Sequence, residues 1–119
     1  MKLDESILNS VKKLLGIQEE YEQFDPDIIM HVNSAFMILN QIGAGPEDGF
    51  RIVDETAVWK DFTKDKLNLE SVKTDIYLRV KLMFDPPLSS IVTESINRMI
   101  SEFEWRIQLA ADVSNKGKN

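Results

Sequence analysis

The sequence predicts an all-α fold, a small bundle of about four helices with one long aromatic-containing loop. Three observations lead there. Apolar residues recur at steps of three and four in four separate stretches, the period of a helix rather than of a strand. Two of those stretches, within Val72 to Ile107, are divided by a hard stop at Asp85-Pro86-Pro87. The one long stretch without helical period, Gly43 to Thr63, holds Gly43, Gly45, Pro46 and Gly49 near its start and reads as a loop.

The first helix is expected to start at Asp4 as N-cap, with Glu5 in the first turn, where negative charge suits the helix dipole. Ile7, Leu8, Val11, Leu14 and Leu15 mark its apolar face, and Gly16 follows as the left-handed residue that ends it, with Ile17 folding back. Lys12 and Lys13 sit at the C-terminal end, where they suit the dipole. Gln18 to Phe24 is an acidic link. Asp25-Pro26-Asp27 then signals a second start, and Ile28, Ile29, Val32, Ala35, Phe36 and Leu39 form the buried face of a helix ending near Gln41. Asn33 and Asn40 share a half-polar stripe with Met30 and Met37, a pattern of an ordinary surface or of a subunit contact.

In the loop, Phe50, Ile52 and Val53 suit a short extended piece, and Trp59 and Phe62 lie three apart as if on one turn. Two explanations stand for these aromatics. They plug back onto the core, or they anchor a partner, being residue types that dominate interfaces. Asn68 or Ser71 is the expected cap of the third helix, stapled by Leu67 and Leu69. Val72, Ile76, Val80, Met83 and Phe84 form its apolar face, and Lys73, Arg79 and Lys81 a basic outer surface interrupted by Asp75. Asp85 then caps the fourth helix, with Pro86 at its first position. That helix buries Val92, Ile96, Met99, Ile100, Phe103 and Ile107. On it Glu94, Arg98, Glu102 and Arg106 stand at a strict spacing of four, a sign-alternating row that serves either as a solvated face or as a subunit contact. Trp105 falls outside the apolar stripe and is the strongest single candidate for an interface residue.

The domain is expected to span 1–111, with 112–119 as a flexible tail lacking apolar residues after Val113. A chain of 119 residues, 43 % hydrophobic, builds one domain with a small core. There is no cysteine, so disulfides, thiolate chemistry and zinc–thiolate sites are excluded. Met1 to Glu5 already carries three charges and no apolar run follows, so neither a secretory leader nor a membrane span is expected. The charge is uneven: residues 1–63 carry twelve acids and five bases, a balance of −7, while residues 64–119 carry eight acids and nine bases, a balance of +1. An acidic half opposes wrapping by nucleic acid, since duplex binding rests on neutralising phosphates. It suits a basic protein partner or a wall that DNA slides past.

No catalytic set emerges. His31 is the only histidine, without partners for a triad or a zinc site. The glycine-rich loop has no preceding strand and no Gly-Lys-Ser/Thr, so it is not a phosphate loop. Glu19, Glu20 and Glu22 raise the rival of a magnesium-dependent nucleotide hydrolase, but no matching carboxylate pair follows on a facing helix. No catalytic, cofactor-binding or metal residue is therefore assigned, and no cofactor is expected. A second rival is a cytoplasmic adaptor or regulator holding one protein partner through Trp59 and Phe62.

A resemblance goes further. The order VKKLLGI, acidic spacer, FDPDIIMHVNSAFMILNQIGAGP, Trp59-Lys60-Asp61-Phe62 and VKTDIYLRVKLMFDPPLSSIVTESINRMISEFEWRI resembles the head–tail connector (adaptor) proteins of long-tailed double-stranded DNA phages and prophages. It runs from about Ile7 to Arg106, with Tyr77 to Pro87 and Glu102 to Arg106 its most telling pieces. It implies a non-enzymatic virion protein at the head–tail junction, assembled in the bacterial cytoplasm. Such a protein forms a ring under the portal, extends the DNA channel without binding DNA specifically, and docks a head-completion or tail protein. On that reading Glu94, Arg98, Glu102, Trp105 and Arg106 are candidate ring or portal contacts, Trp59 and Phe62 join them as candidate anchors, and the acidic half faces the channel or the tail.

Overall fold

A computed structural model describes residues 3–116, with side chains described at all but 66, 67 and 114–116. Its elements are four α-helices: α1 (Ile7–Leu14), α2 (Asp25–Gln41), α3 (Lys66–Phe84) and α4 (Ser90–Lys116), with one 3₁₀ turn at Trp59–Asp61. Among the described residues there is no strand, only an isolated antiparallel bridge between Ser6 and Val58. The all-α expectation holds.

The helix ends show where local chemistry decides and where packing overrides it. Gly16 (φ +81°) ends α1 as expected: the Ile17 N–H donates to the Lys12 carbonyl at 2.9 Å and the Gly16 N–H to that of Lys13 at 3.1 Å, a Schellman closure. Gly43 (φ +96°) ends α2 in the same way, with the Ala44 N–H on the Leu39 carbonyl at 3.0 Å. The starts differ from expectation. Ser6, not Asp4, caps α1, its hydroxyl accepting from the Asn9 N–H at 3.2 Å. The segment before α1 is tied to the loop, the carbonyls of Leu3 and Glu5 accepting from the N–H groups of Lys60 and Trp59. Phe24 precedes α2, and the Asp25 carboxylate is drawn to Lys12 instead of capping. Asp65 caps α3, accepting from the Asn68 N–H at 3.3 Å, ahead of the expected Asn68 or Ser71. Ser89, not Asp85, caps α4: its carbonyl takes the Thr93 N–H at 3.1 Å, while Asp85 bonds Lys81 at 2.8 Å.

Lys12, near the C-terminal end of α1 as expected, is 1 % exposed. Its ammonium donates to the carbonyls of Glu19 (2.9 Å) and Tyr21 (2.7 Å) and lies 2.9 Å from the Asp25 carboxylate. One buried cation thereby folds the acidic link over the end of α1. The loop is equally well tied. The Asn33 amide holds both backbone groups of Ile52, at 2.7 and 2.9 Å, as a strand partner would, and the Asn40 amide donates to the Pro46 carbonyl at 2.8 Å. The loop's aromatics close on Phe36: Phe50 and Phe62 each stack on it at 4.8 Å between ring centroids.

α3 is the central element. Leu69, Val72, Ile76 and Val80 face the core built with α1, α2 and the loop. Leu78, with Tyr77 and Leu82, faces a second, smaller cluster with Ile96, Ile100 and Phe103 of α4. A helix apolar on two sides is covered on two sides. α2 and α4 therefore flank α3 and scarcely meet each other. Met83, expected on the buried face, is half exposed, as are Val92 and Met99 on α4. α4 runs through Asp112–Lys116, into the stretch expected to be tail, because no glycine or proline interrupts it before Gly117. The rest of that stretch lies outside the described residues.

Candidate interaction surface

α4 spans 27 residues and rests on α3 along one stripe, Ile96, Ile100, Phe103 and Ile107. At about 100° per residue, Ile91, Arg98, Trp105 and Leu109 project within roughly 40° of one another on the opposite side. Trp105 is 63 % exposed and Ile91 76 %, with Leu109 and Val113 also open to solvent. Leu88, in the turn before the helix, is fully exposed. The outward side of α4 therefore carries exposed apolar residues interleaved with the exposed charges Arg98 and Glu102 and flanked by Glu94 and Arg106. Isolated exposed apolar residues are ordinary; a row of them along one helix marks a contact surface.

Of the charged row, one step is closed: Arg106 bonds Glu102 at 2.5 Å and lies over the Phe103 ring. Both partners are more than half exposed, so the pair adds little to stability. Arg98 and Glu94 have no ion-pair partner among the described residues. The expected continuous chain of pairs is not present, and two of its charges remain available.

Trp59 and Phe62 are elsewhere. Trp59 is completely buried and Phe62 is 5 % exposed. The Trp59 indole N–H donates to the Ser10 hydroxyl at 3.1 Å, and its ring meets Phe36. Of the two explanations for these aromatics, plugging onto the core is the one observed, and neither side chain reaches the surface.

Sequence reasoning missed a polar latch between α3 and α4. Arg79 bonds Asp75 at 2.8 Å and Glu104 at 2.6 Å. Asp75 is not on an outer surface but fully buried, and one of its oxygens has no hydrogen-bond partner. Burial raises its pKa above the ordinary carboxylate value, against the pull of Arg79. The visible signal was spacing: Asp75, Leu78 and Leu82 lie on one side of α3, so the side facing α4 includes a carboxylate.

Among the described residues no three His, Asp or Glu side chains gather around a metal-sized space. Glu19, Glu20 and Glu22 are exposed, and Glu19 accepts from the Asn9 amide at 3.0 Å. A cavity of about 630 Å³ lies between the loop and the end of α4 and is lined by Asn40, Glu47, Lys60 and Asp65 among others. What the molecule offers is a long helix with an unpaired apolar side.

The model of a protein family described as phage connector protein matches residues 7–114. The chain belongs to that family. No curated protein and no solved structure matches it. Membership gives this connector a structural role in the phage particle, in contact with portal, head or tail proteins. The match begins at the first residue of α1 and ends two residues before the end of α4, so all four helices of the connector fall within the family pattern but for those last two residues. No helix among the connector's described residues is long and apolar enough to cross a membrane.

Proposed function

We propose that this connector forms a ring beneath the portal of the filled capsid, continuing the DNA channel and presenting a docking surface for the next head-completion or tail protein. The observation that carries this reading is the outward side of α4, where Trp105, Ile91 and Leu109 are open to solvent. A 27-residue helix that covers its own chain with one stripe and leaves apolar residues bare on its other side is built to be covered by another protein. Glu94, Arg98, Glu102 and Arg106, among and beside those residues, serve the contact's register and specificity rather than its strength.

DNA passes such a ring without sequence recognition. The exposed carboxylates of the first half, including Glu20, Glu22, Glu47, Asp48 and Glu55, supply a surface that repels phosphate, as a channel lining requires. Ring contacts among small subunits are weak singly and strong together, so assembly is expected to depend on the portal as template.

Electron microscopy with native mass spectrometry of the protein mixed with the portal of the same phage tests this. A ring capping the portal is expected. A chain that stays monomeric and unbound on portals and on filled capsids alike excludes it.

A further inference from the structure

A ring of more than two subunits needs two different patches on each subunit, one to meet the next copy and one to meet the previous copy. The outward side of α4 is one patch. The second is on the opposite flank of α3, on the outer side of α2. There Met30 and Met37, seven residues apart, are 58 % and 59 % exposed. With Pro26, Ile29, Ser34 and Arg51 they line a shallow groove of about 420 Å³. Asn33 fixes the groove's far wall by its two hydrogen bonds to Ile52, which set the neighbouring Arg51 and Val53 in place, Val53 being itself 71 % exposed. A groove with a tied backbone wall and methionines on its floor is firm in outline and adaptable in detail.

We propose that the occupant of this groove is the outward side of α4 from a second copy of this chain, with Trp105 seated between Met30 and Met37. The proposal rests on the ring reading and adds its contact. An exposed indole is an anchor of the right kind, and thioethers make favourable contacts with aromatic rings. Charge agrees. Arg98 and Glu94 on α4 have no ion-pair partner among the described residues, and neither have Asp27, exposed beside Pro26 at one end of the groove, and Arg51 on its rim. The copies pair Arg98 with Asp27. With the two helices parallel and Trp105 midway between Met30 and Met37, Asp27 lies about 6.5 residues before that midpoint and Arg98 about seven before Trp105, so the two charges are level to within about 1 Å along the axis. Because α2 and α4 flank α3 on different sides, the contact cannot be satisfied within one chain and must pass from copy to copy.

The absence of native cysteine allows a direct test. Ser34→Cys lines the groove and Ser101→Cys sits one turn from Trp105 on exposed helix, and both leave the methionines and the indole intact. The double variant, treated alone and on the portal with a thiol-to-thiol cross-linker that spans about two turns of helix, is expected to give a ladder of dimers, trimers and higher covalent species. Either single variant is expected to give none. In parallel, Met37→Glu is expected to abolish assembly while leaving the helical circular dichroism unchanged. A ring seen by microscopy without a ladder overturns this contact and leaves the ring standing. Dimers from Ser101→Cys alone mean that α4 meets α4, and also overturn it. No assembly under any condition removes the ring and this contact together.

Discussion

The indole N–H of Trp59 donates to the hydroxyl oxygen of Ser10 at 3.1 Å, in a position closed to water. That bond joins the first helix to the loop across 49 positions of sequence. The same hydroxyl serves Glu5 at 2.7 Å, so Ser10 links the extended N-terminal segment, α1 and the loop. Ser10→Ala leaves a buried indole donor unpaired and is expected to cost about 1–3 kcal/mol in urea melts. In a Trp59→Phe background the same change should cost clearly less. Equal costs in the two backgrounds would show that the bond does not carry the effect.

Gly45 and Gly49 separate backbone strain from collision. Both have positive φ, +81° and +91°. A Cβ at Gly49 meets nothing within 4 Å, whereas one at Gly45 lands in the Phe62 ring. Gly49→Ala should cost about 1–2 kcal/mol from conformation alone. Gly45→Ala adds an overpacking cost of about 1–3 kcal/mol and should disturb the aromatic near-ultraviolet dichroism. Equal stabilities for the two variants would place Phe62 away from Gly45.

Asp75 sets a pH dependence of defined sign. Its pKa is raised in the folded protein, so the folded state binds this proton more tightly than the unfolded chain. The stabilisation is fully present below the unfolded carboxylate value of about 3.9 and is lost as pH rises through the folded value. The stability of wild type relative to Asp75→Asn should therefore fall as pH rises from about 4. Melts of both proteins over the acidic range would contradict this if the difference grew with pH. Asp75→Ala, at neutral pH, is expected to cost about 2–3 kcal/mol, at the low end for a broken buried pair because Arg79 keeps Glu104.

On the outer side of α4, folding and assembly separate. Trp105 and Arg98 are exposed and touch no core residue cluster. Trp105→Ala with Arg98→Glu should leave helical dichroism and stability within about 0.5 kcal/mol of wild type. The same variant should lose attachment to the portal. Loss of the fold would assign the region to the core instead.

The sequence by itself determined the helices and their C-terminal ends. Period-four apolar spacing and the glycines after α1 and α2 act within a few residues, and no distant contact was needed to read them. It also carried the family, through the order of its parts, and pointed to Trp105 by its place outside the buried stripe. Tertiary structure decided the start of α2, since Asp25 has a partner in Lys12 of another helix, whereas Asp85 is drawn from the cap it suited by Lys81, only four residues back. It decided that Trp59 and Phe62 lie inside, because Ser10 and Phe36, distant in sequence, offer the indole an acceptor and the rings a surface. It also decided that α3 is covered on two sides, which buries Asp75 and sets the outer sides of α2 and α4 on opposite flanks. Periodicity reports which residues share a side of a helix. What covers that side is a property of the other helices, and no window of sequence contains it.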